Sequence, residues 1–157
     1  MFFVYDMLRD EKFKNMKDES KIVVSESHPN EVIQFLEERI YEYNSTKIGK
    51  TDGLFFAKTI RDSDENIIAG ISGWTWAGAC EITLLWVSDE CRNQGFGKQL
   101  LEAAEEEAKR NNCKVILLRS FAFQAPSFYE KHDYQIEFLT KDFPPGYNYY
   151  CLIKRMV

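Results

Sequence analysis

Between Arg92 and Lys98 the chain reads R-N-Q-G-F-G-K, with a cation at each end and two glycines between them. Those residue types suit an anion. Glycines let a charged ligand reach the backbone with no Cβ in the way, and the first N–H groups of a helix starting there have no intrahelical partner. The helix dipole adds roughly half a positive charge at the same end. A helix does follow, because Leu100, Leu101, Ala104 and Ala108 recur at helical spacing. Before the loop, Ile82 to Val87 is apolar, β-branched or aromatic, and reads as a strand covered on both faces. Strand, polar loop, glycines and helix together make a phosphate site. Two phosphate motifs fail on spacing. A dinucleotide fingerprint needs a glycine where Leu100 stands, and a Walker loop needs one at Arg92 and a Ser or Thr at Gln99.

What remains is the pattern [QR]-x-x-G-x-[GA], filled by Arg92, Asn93, Gln94, Gly95, Phe96 and Gly97. It resembles the acetyl-CoA pyrophosphate loop of the GNAT superfamily of N-acetyltransferases. Its context agrees: an L-W-V strand before it, an apolar strand at Lys114 to Leu118 after it, then F-Q-A-P-S-F-Y-E-K-H-D-Y at Phe123 to Tyr134. That last run is similar to the family's A-x-x-x-Y-E-K-x-G-[FY] helix. The resemblance covers residues 21–155. It implies an α/β fold with a mixed, mostly antiparallel sheet of roughly six to seven strands, helices on both faces, and one parallel pair that splays to admit the pantetheine arm. It also implies acetyl-CoA as co-substrate, no metal, a primary amine as acceptor, and direct transfer. Family members often dimerise, so a homodimer is the oligomer to look for. Two departures stand out: Asp133 replaces the usual glycine of K-x-G-[FY], a place where a left-handed turn accepts Asp, and Ala122 replaces an asparagine. They leave room for a second reading, a non-catalytic acyl-CoA sensor or interaction module of the same fold.

Acetyl transfer to an amine poses two proton problems. An alkylamine is neutral in only about one part in 2,500 at pH 7, so a base helps, and the departing thiolate is better expelled with an acid beside it. Backbone N–H groups beside the strand can serve the carbonyl oxygen as it gains charge. By resemblance, Tyr129 takes the place of the tyrosine that reaches the coenzyme sulfur, and is read as the general acid. Glu81 is a carboxylate on a strand otherwise built for burial. Strict alternation puts it on one face with Thr83, Leu85 and Val87. It stands eleven residues before Arg92, like the glutamate base of the histone-acetylating branch, and partial burial would suit it to that work. It is read as base or as charge partner of the amine. The coenzyme contacts expected are Trp86, Val87, Arg92, Asn93, Gln94, Gly95, Phe96, Gly97 and Lys98, with the Val87 backbone pairing the pantetheine arm as another strand would. Trp74, Trp76 and Trp86 either line the acceptor pocket or belong to the core. His132 reads as a surface residue next to a helix end.

The elements that must hold these residues follow in order. Residues 1–18 read as an N-terminal extension with some amphipathic character, and 19–157 as a single domain. Lys21 to Ser25 reads as a strand, and Pro29 opens a helix with Val32, Ile33, Leu36, Ile40 and Tyr43 on one face. Gly53 to Arg61 and Ile67 to Trp76 are strands joined by the turn-forming Asp62 to Asn66. The strand at Lys114 must return parallel to that at Glu81 through a right-handed crossover. Pro126 starts a short helix, and two strands, Gln135 to Thr140 and Tyr147 to Lys154, close the chain. The acceptor pocket falls to the first helix, the strand edges and the Phe143 to Tyr150 loop.

At 157 residues there is room for one domain with a sizeable core. A net charge of −5 argues against a general nucleic-acid binder and suits cationic acceptors. Four scattered cysteines and two histidines write no zinc site, and fit a reducing cytoplasm better than a disulfide framework. The Phe2 to Tyr5 run is too short for a membrane span.

Overall fold

The computed structural model describes residues 28–156. The lead-in helix and the strand expected at Lys21 to Ser25 lie outside them. The chain divides into two compact units parted between Asn44 and Ser45, and each is taken by itself.

What is described of the first unit is helix α1, Pro29–Ile48, whose last residues belong to the second. Proline at the first turn forfeits an N–H that has no helical partner anyway. The residues read as its apolar face, Val32, Ile33, Leu36 and Ile40, are all exposed, and Tyr43 is half-buried.

The second unit is a sheet with helices. Its strands are β1 Leu54–Arg61, β2 Ile67–Trp76, β3 Ala79–Val87, β4 Val115–Phe121, β5 Gln135–Thr140 and β6 Tyr149–Arg155. Helix α2, Phe96–Arg110, connects β3 to β4, and the short α3, Pro126–Glu130, precedes β5. The sheet order is β1-β2-β3-β4-β6-β5, antiparallel throughout except for β3 against β4. A parallel pair needs a crossover, and α2 supplies it. The β1–β2 turn closes as its residue types demand: one Asp62 carboxylate oxygen accepts the N–H groups of Asp64 and Asn66, both at 2.9 Å.

The apolar stripe of α2 packs onto one face of the sheet. Leu100, Leu101, Ala104 and Ala108 meet Ala69, Ile71, Cys80, Ile82, Ile116, Leu118 and Leu152, and Tyr129 and Tyr134 complete the cluster. Burying each large aliphatic side chain here contributes roughly 1.5–3 kcal/mol. The alanines let the helix approach closely.

Strand β3 departs from the sequence reading in two linked ways. Ser72 pairs with Leu84 but Gly73 with Ile82, so Thr83 is an extra residue in β3. Such a β-bulge reverses the alternation. Cys80 and Ile82 face α2 before it, and Leu85 and Val87 join the same cluster after it. Glu81 therefore shares its face with Leu84 and Trp86, and not with Leu85 and Val87. Gly73 makes the bulge feasible, since a Cβ there would overlap the Glu81 carbonyl oxygen. The Thr83 hydroxyl donates to the Ser72 carbonyl at 3.1 Å. As a second consequence β3 is not covered on both faces: Leu84 and Trp86, turned away from α2, are 70% and 51% exposed.

The pairing of β3 with β4 ends early. Ala79 to Ile82 lie against Val115 to Leu118, yet β3 runs on to Val87 and β4 to Phe121. Beyond Ile82 the two strands part, and a gap opens in the middle of the sheet.

Candidate active site

The loop after β3 is built to start a helix with its amides open. A 3-10 turn at Asp89–Cys91 leads into Asn93 and Gly95, both left-handed at φ 62° and 87°. Gly95 is the N-cap of α2, and no side chain caps the helix. A Cβ added at Gly97 would come into van der Waals contact with Phe128 in α3 and Val87 at the end of β3, so the helix start, α3 and the rim of the gap lie side by side.

The cations of the loop have partners of their own. Arg92 meets Asp89 at 2.6 Å, and its Nε donates to the Val87 carbonyl at 3.3 Å. Gln94 donates to the Glu90 carbonyl at 2.9 Å, and Lys98 stands 3.6 Å from Glu102. These are exposed contacts of small net worth, so exchanging them for a phosphate costs little.

Glu81 stands at the fork, one residue before the last β3–β4 pair. Its side chain is 17% exposed and meets the Arg119 guanidinium of β4 at 3.0 Å. Arg119 is absent from the sequence reading. A cation two positions from the end of a mostly apolar strand was the available signal, but its partner lies across a strand pair that only the fold brings together. Cys151 is opposite Arg119 on β6.

Tyr129 lies on the other face, in the cluster under α2. Burial pushes its phenol up to about 12. Phe128 stands edge-on to it at 5.1 Å and Tyr134 at 6.0 Å. The chain end of α3 turns through Asp133 at φ 68°, the left-handed position its replacement of glycine requires, and Tyr134 N–H closes on the Tyr129 carbonyl at 3.1 Å. The His132 ring packs on Phe128 at 4.8 Å. None of the three tryptophans belongs to the buried core; Trp74 and Trp76 are half-buried. The structure thus brings Val87, Gly97 and Phe128 side by side and sets Glu81 and Tyr129 on opposite faces of the sheet.

Residues 6–134 match the model of the acetyltransferase (GNAT) family. The chain belongs to that family. An acetyltransferase of Agrobacterium fabrum is 29% identical over 112 residues, 71% of this chain and 82% of that protein. The blasticidin-S acetyltransferase of Streptomyces morookaense is 31% identical over 90 residues, 57% of this chain and 64% of that one. Among solved structures, an acetyltransferase from Bacillus cereus superposes with a TM-score of 0.73 at 28% identity, covering 87% of this chain and 99% of its own. In this acetyltransferase, among the described residues, no group of three or more His, Cys, Asp or Glu side chains is placed to hold a metal ion, and no helix is long and apolar enough to cross a membrane.

Proposed function

We propose that this acetyltransferase moves an acetyl group from acetyl-CoA to a primary amine by direct attack, with no covalent intermediate on the protein. The observation that carries the reading is the juxtaposition of an uncapped, glycine-opened helix start with a fork between parallel strands, a carboxylate standing at the fork. The residues fit the coenzyme: amides lacking a capping side chain suit a pyrophosphate, and the unpaired edges of the fork suit an extended amide-bearing arm. When bound, the coenzyme supplies the acetyl group as a thioester.

The amides of Phe96, Gly97 and Lys98 would hold the pyrophosphate, with Asn93, Gln94 and Gly95 shaping the turn. Arg92 would leave Asp89 for phosphate, and in doing so free the Val87 carbonyl for the pantetheine arm beside Trp86. Glu81 would receive the ammonium and then its proton, directly or through water. Arg119 holds the Glu81 carboxylate in place.

Tyr129 would donate a hydrogen bond to the departing sulfur. With its phenol up at about 12 and a thiol near 8.5, complete proton transfer from Tyr129 is uphill by about 5 kcal/mol. Its contribution is therefore a hydrogen bond that strengthens as charge grows on sulfur, with the proton itself coming from the amine by way of solvent. The four cysteines are unpaired, in keeping with a reducing cytoplasm.

Thermal unfolding with and without acetyl-CoA tests the coenzyme site. Ligand at a hundred times its dissociation constant adds about 2.7 kcal/mol, a rise of roughly 5–10 °C for a chain of this size. A panel of polyamines, aminoglycosides, amino acids and lysine peptides, followed by acetyl-CoA consumption, tests the transfer. A rise in Tm with no amine consumed would favour the sensor, and no rise at millimolar coenzyme would remove the reading altogether.

A further inference from the structure

On the Glu81 face of the sheet the residues next to the fork are aromatic. Arg119 and Phe121 succeed one another on that face of β4, and Phe121 stands opposite Tyr149 of β6 with ring centroids 4.4 Å apart. Phe123, just past β4, stacks on Phe121 at 5.1 Å with the planes within 6°. Phe143 from the β5–β6 connection lies 6.4 Å from Phe121 and 5.7 Å from Tyr149, and Tyr147 stands edge-on to Phe123 at 5.0 Å. These rings form a continuous wall.

The wall is organised but not buried. Phe123, Phe143 and Tyr147 are 58%, 55% and 50% exposed. Aromatic side chains carry large apolar areas, and an exposed contiguous patch of them marks a place where something binds. Its supports are also set in advance. Phe143 N–H donates to the Tyr147 carbonyl at 2.7 Å, Tyr147 N–H to the Pro144 carbonyl at 2.9 Å, and Ala122 N–H to the Asn148 carbonyl at 2.8 Å. The Gln124 side chain accepts the Phe121 N–H at 2.9 Å. A wall held this way loses little entropy when a ligand seats on it.

We propose that the acceptor is an arylalkylamine: its ring seats on this aromatic wall and its amine reaches Glu81. This rests on the acetyltransferase reading above and names the substrate class of the same site. Glu81 pairs with Leu117 and its carboxylate meets the Arg119 guanidinium, and Leu117, Arg119 and Phe121 follow one another on this face of β4, so an amine at Glu81 and a ring on the wall lie along one line of the strand. Stacked and edge-on neighbours favour a flat aryl ring by about two- to twelvefold per ring pair beyond the burial of its area. A saturated ring of the same size gains only the burial.

The test compares phenethylamine with 2-cyclohexylethylamine, amines of equal length that differ in aromaticity, by kcat/KM in the wild type and in Phe123→Leu. Phe123 is more than half exposed, so the variant should fold, and its Tm and the Tm rise with acetyl-CoA verify that it does. The expected result is a preference of about tenfold for phenethylamine, matching one or two ring pairs, that falls to about twofold in Phe123→Leu. Equal kcat/KM for the two amines in the wild type, or a preference unchanged in the variant, would overturn the proposal. So would consumption of aliphatic polyamines alone, which leaves the acetyltransferase reading standing. If acetyl-CoA neither shifts Tm nor is consumed with any amine, that reading fails and takes the substrate class with it.

Discussion

The roles proposed for Tyr129 and Glu81 differ, and single substitutions separate them. Removing the Tyr129 hydroxyl deletes one buried donor and little volume. In Tyr129→Phe, kcat should fall at least about tenfold, the loss of one hydrogen bond to a charged atom, while the Tm rise with acetyl-CoA persists. Because the phenol stands at about 12, it stays protonated throughout the working range, and the variant should keep the wild-type pH profile below pH 10. Glu81→Gln removes the proposed base and leaves Arg119 without its counter-charge. Its kcat/KM should fall by about a hundredfold at pH 7, and the deficit should narrow toward pH 10, where the amine supplies its own neutral form. A deficit independent of pH would make Glu81 a charge partner only.

At the scale of elements, the β3 bulge and the start of α2 decide where these groups point. Gly73→Ala would drive a methyl group into the Glu81 carbonyl and the Phe56 ring. The strands must separate to relieve it, so a destabilisation of about 3 kcal/mol or more is expected in urea unfolding, with loss of activity even where the protein still folds. Gly95→Ala is a milder case. No atom lies within 4 Å of the new methyl group, and only the backbone at φ 87° objects, at about 1–2 kcal/mol. Its Tm should drop by a few degrees. The variant should also need more acetyl-CoA for the same stabilisation, because relaxing that strain turns the first amides of α2 away.

For the whole molecule the buried ionisable groups set an alkaline limit. Burial, with the nearby Cys113 thiol a further cause, pushes the Cys80 thiol from 9.0 up to about 12, and burial alone pushes Tyr129 from 10.0 up to about 12. Burial raises Cys113 and Tyr134 as well. Each group keeps its proton in the folded chain at a pH where the unfolded chain has lost it. Stability is therefore fully present below pH 9 and declines as pH climbs toward 12. Between pH 8 and 10.5 the loss should be about 2–3 kcal/mol, read as a lower urea midpoint with an unchanged slope. Cys80→Ala should flatten that decline. A midpoint constant to pH 10.5 would show that these groups ionise freely in the folded state.

Much of this molecule is local enough to be read along the chain. The Asp62 to Asn66 turn, the glycine-opened start of α2 with its apolar stripe, the short helix at Pro126 and the left-handed turn at Asp133 each depend on residues within a few positions of one another. Backbone preference and hydrophobic period encode such features, and the family pattern built on them marked out the glycine loop proposed to hold the coenzyme. The Glu81 face, its Arg119 partner and the aromatic wall were not legible. A bulge exists only relative to a partner strand, and one extra residue in β3 inverts every side chain beyond it. The Glu81–Arg119 pair spans a parallel crossover, and the wall gathers rings from β4, its following turn, the β5–β6 connection and β6. The sequence by itself determined the elements and the glycine-opened start of α2, because those follow from local chemistry. Only the tertiary structure decided which residues face the fork, because register and strand order come from the packing of the whole sheet.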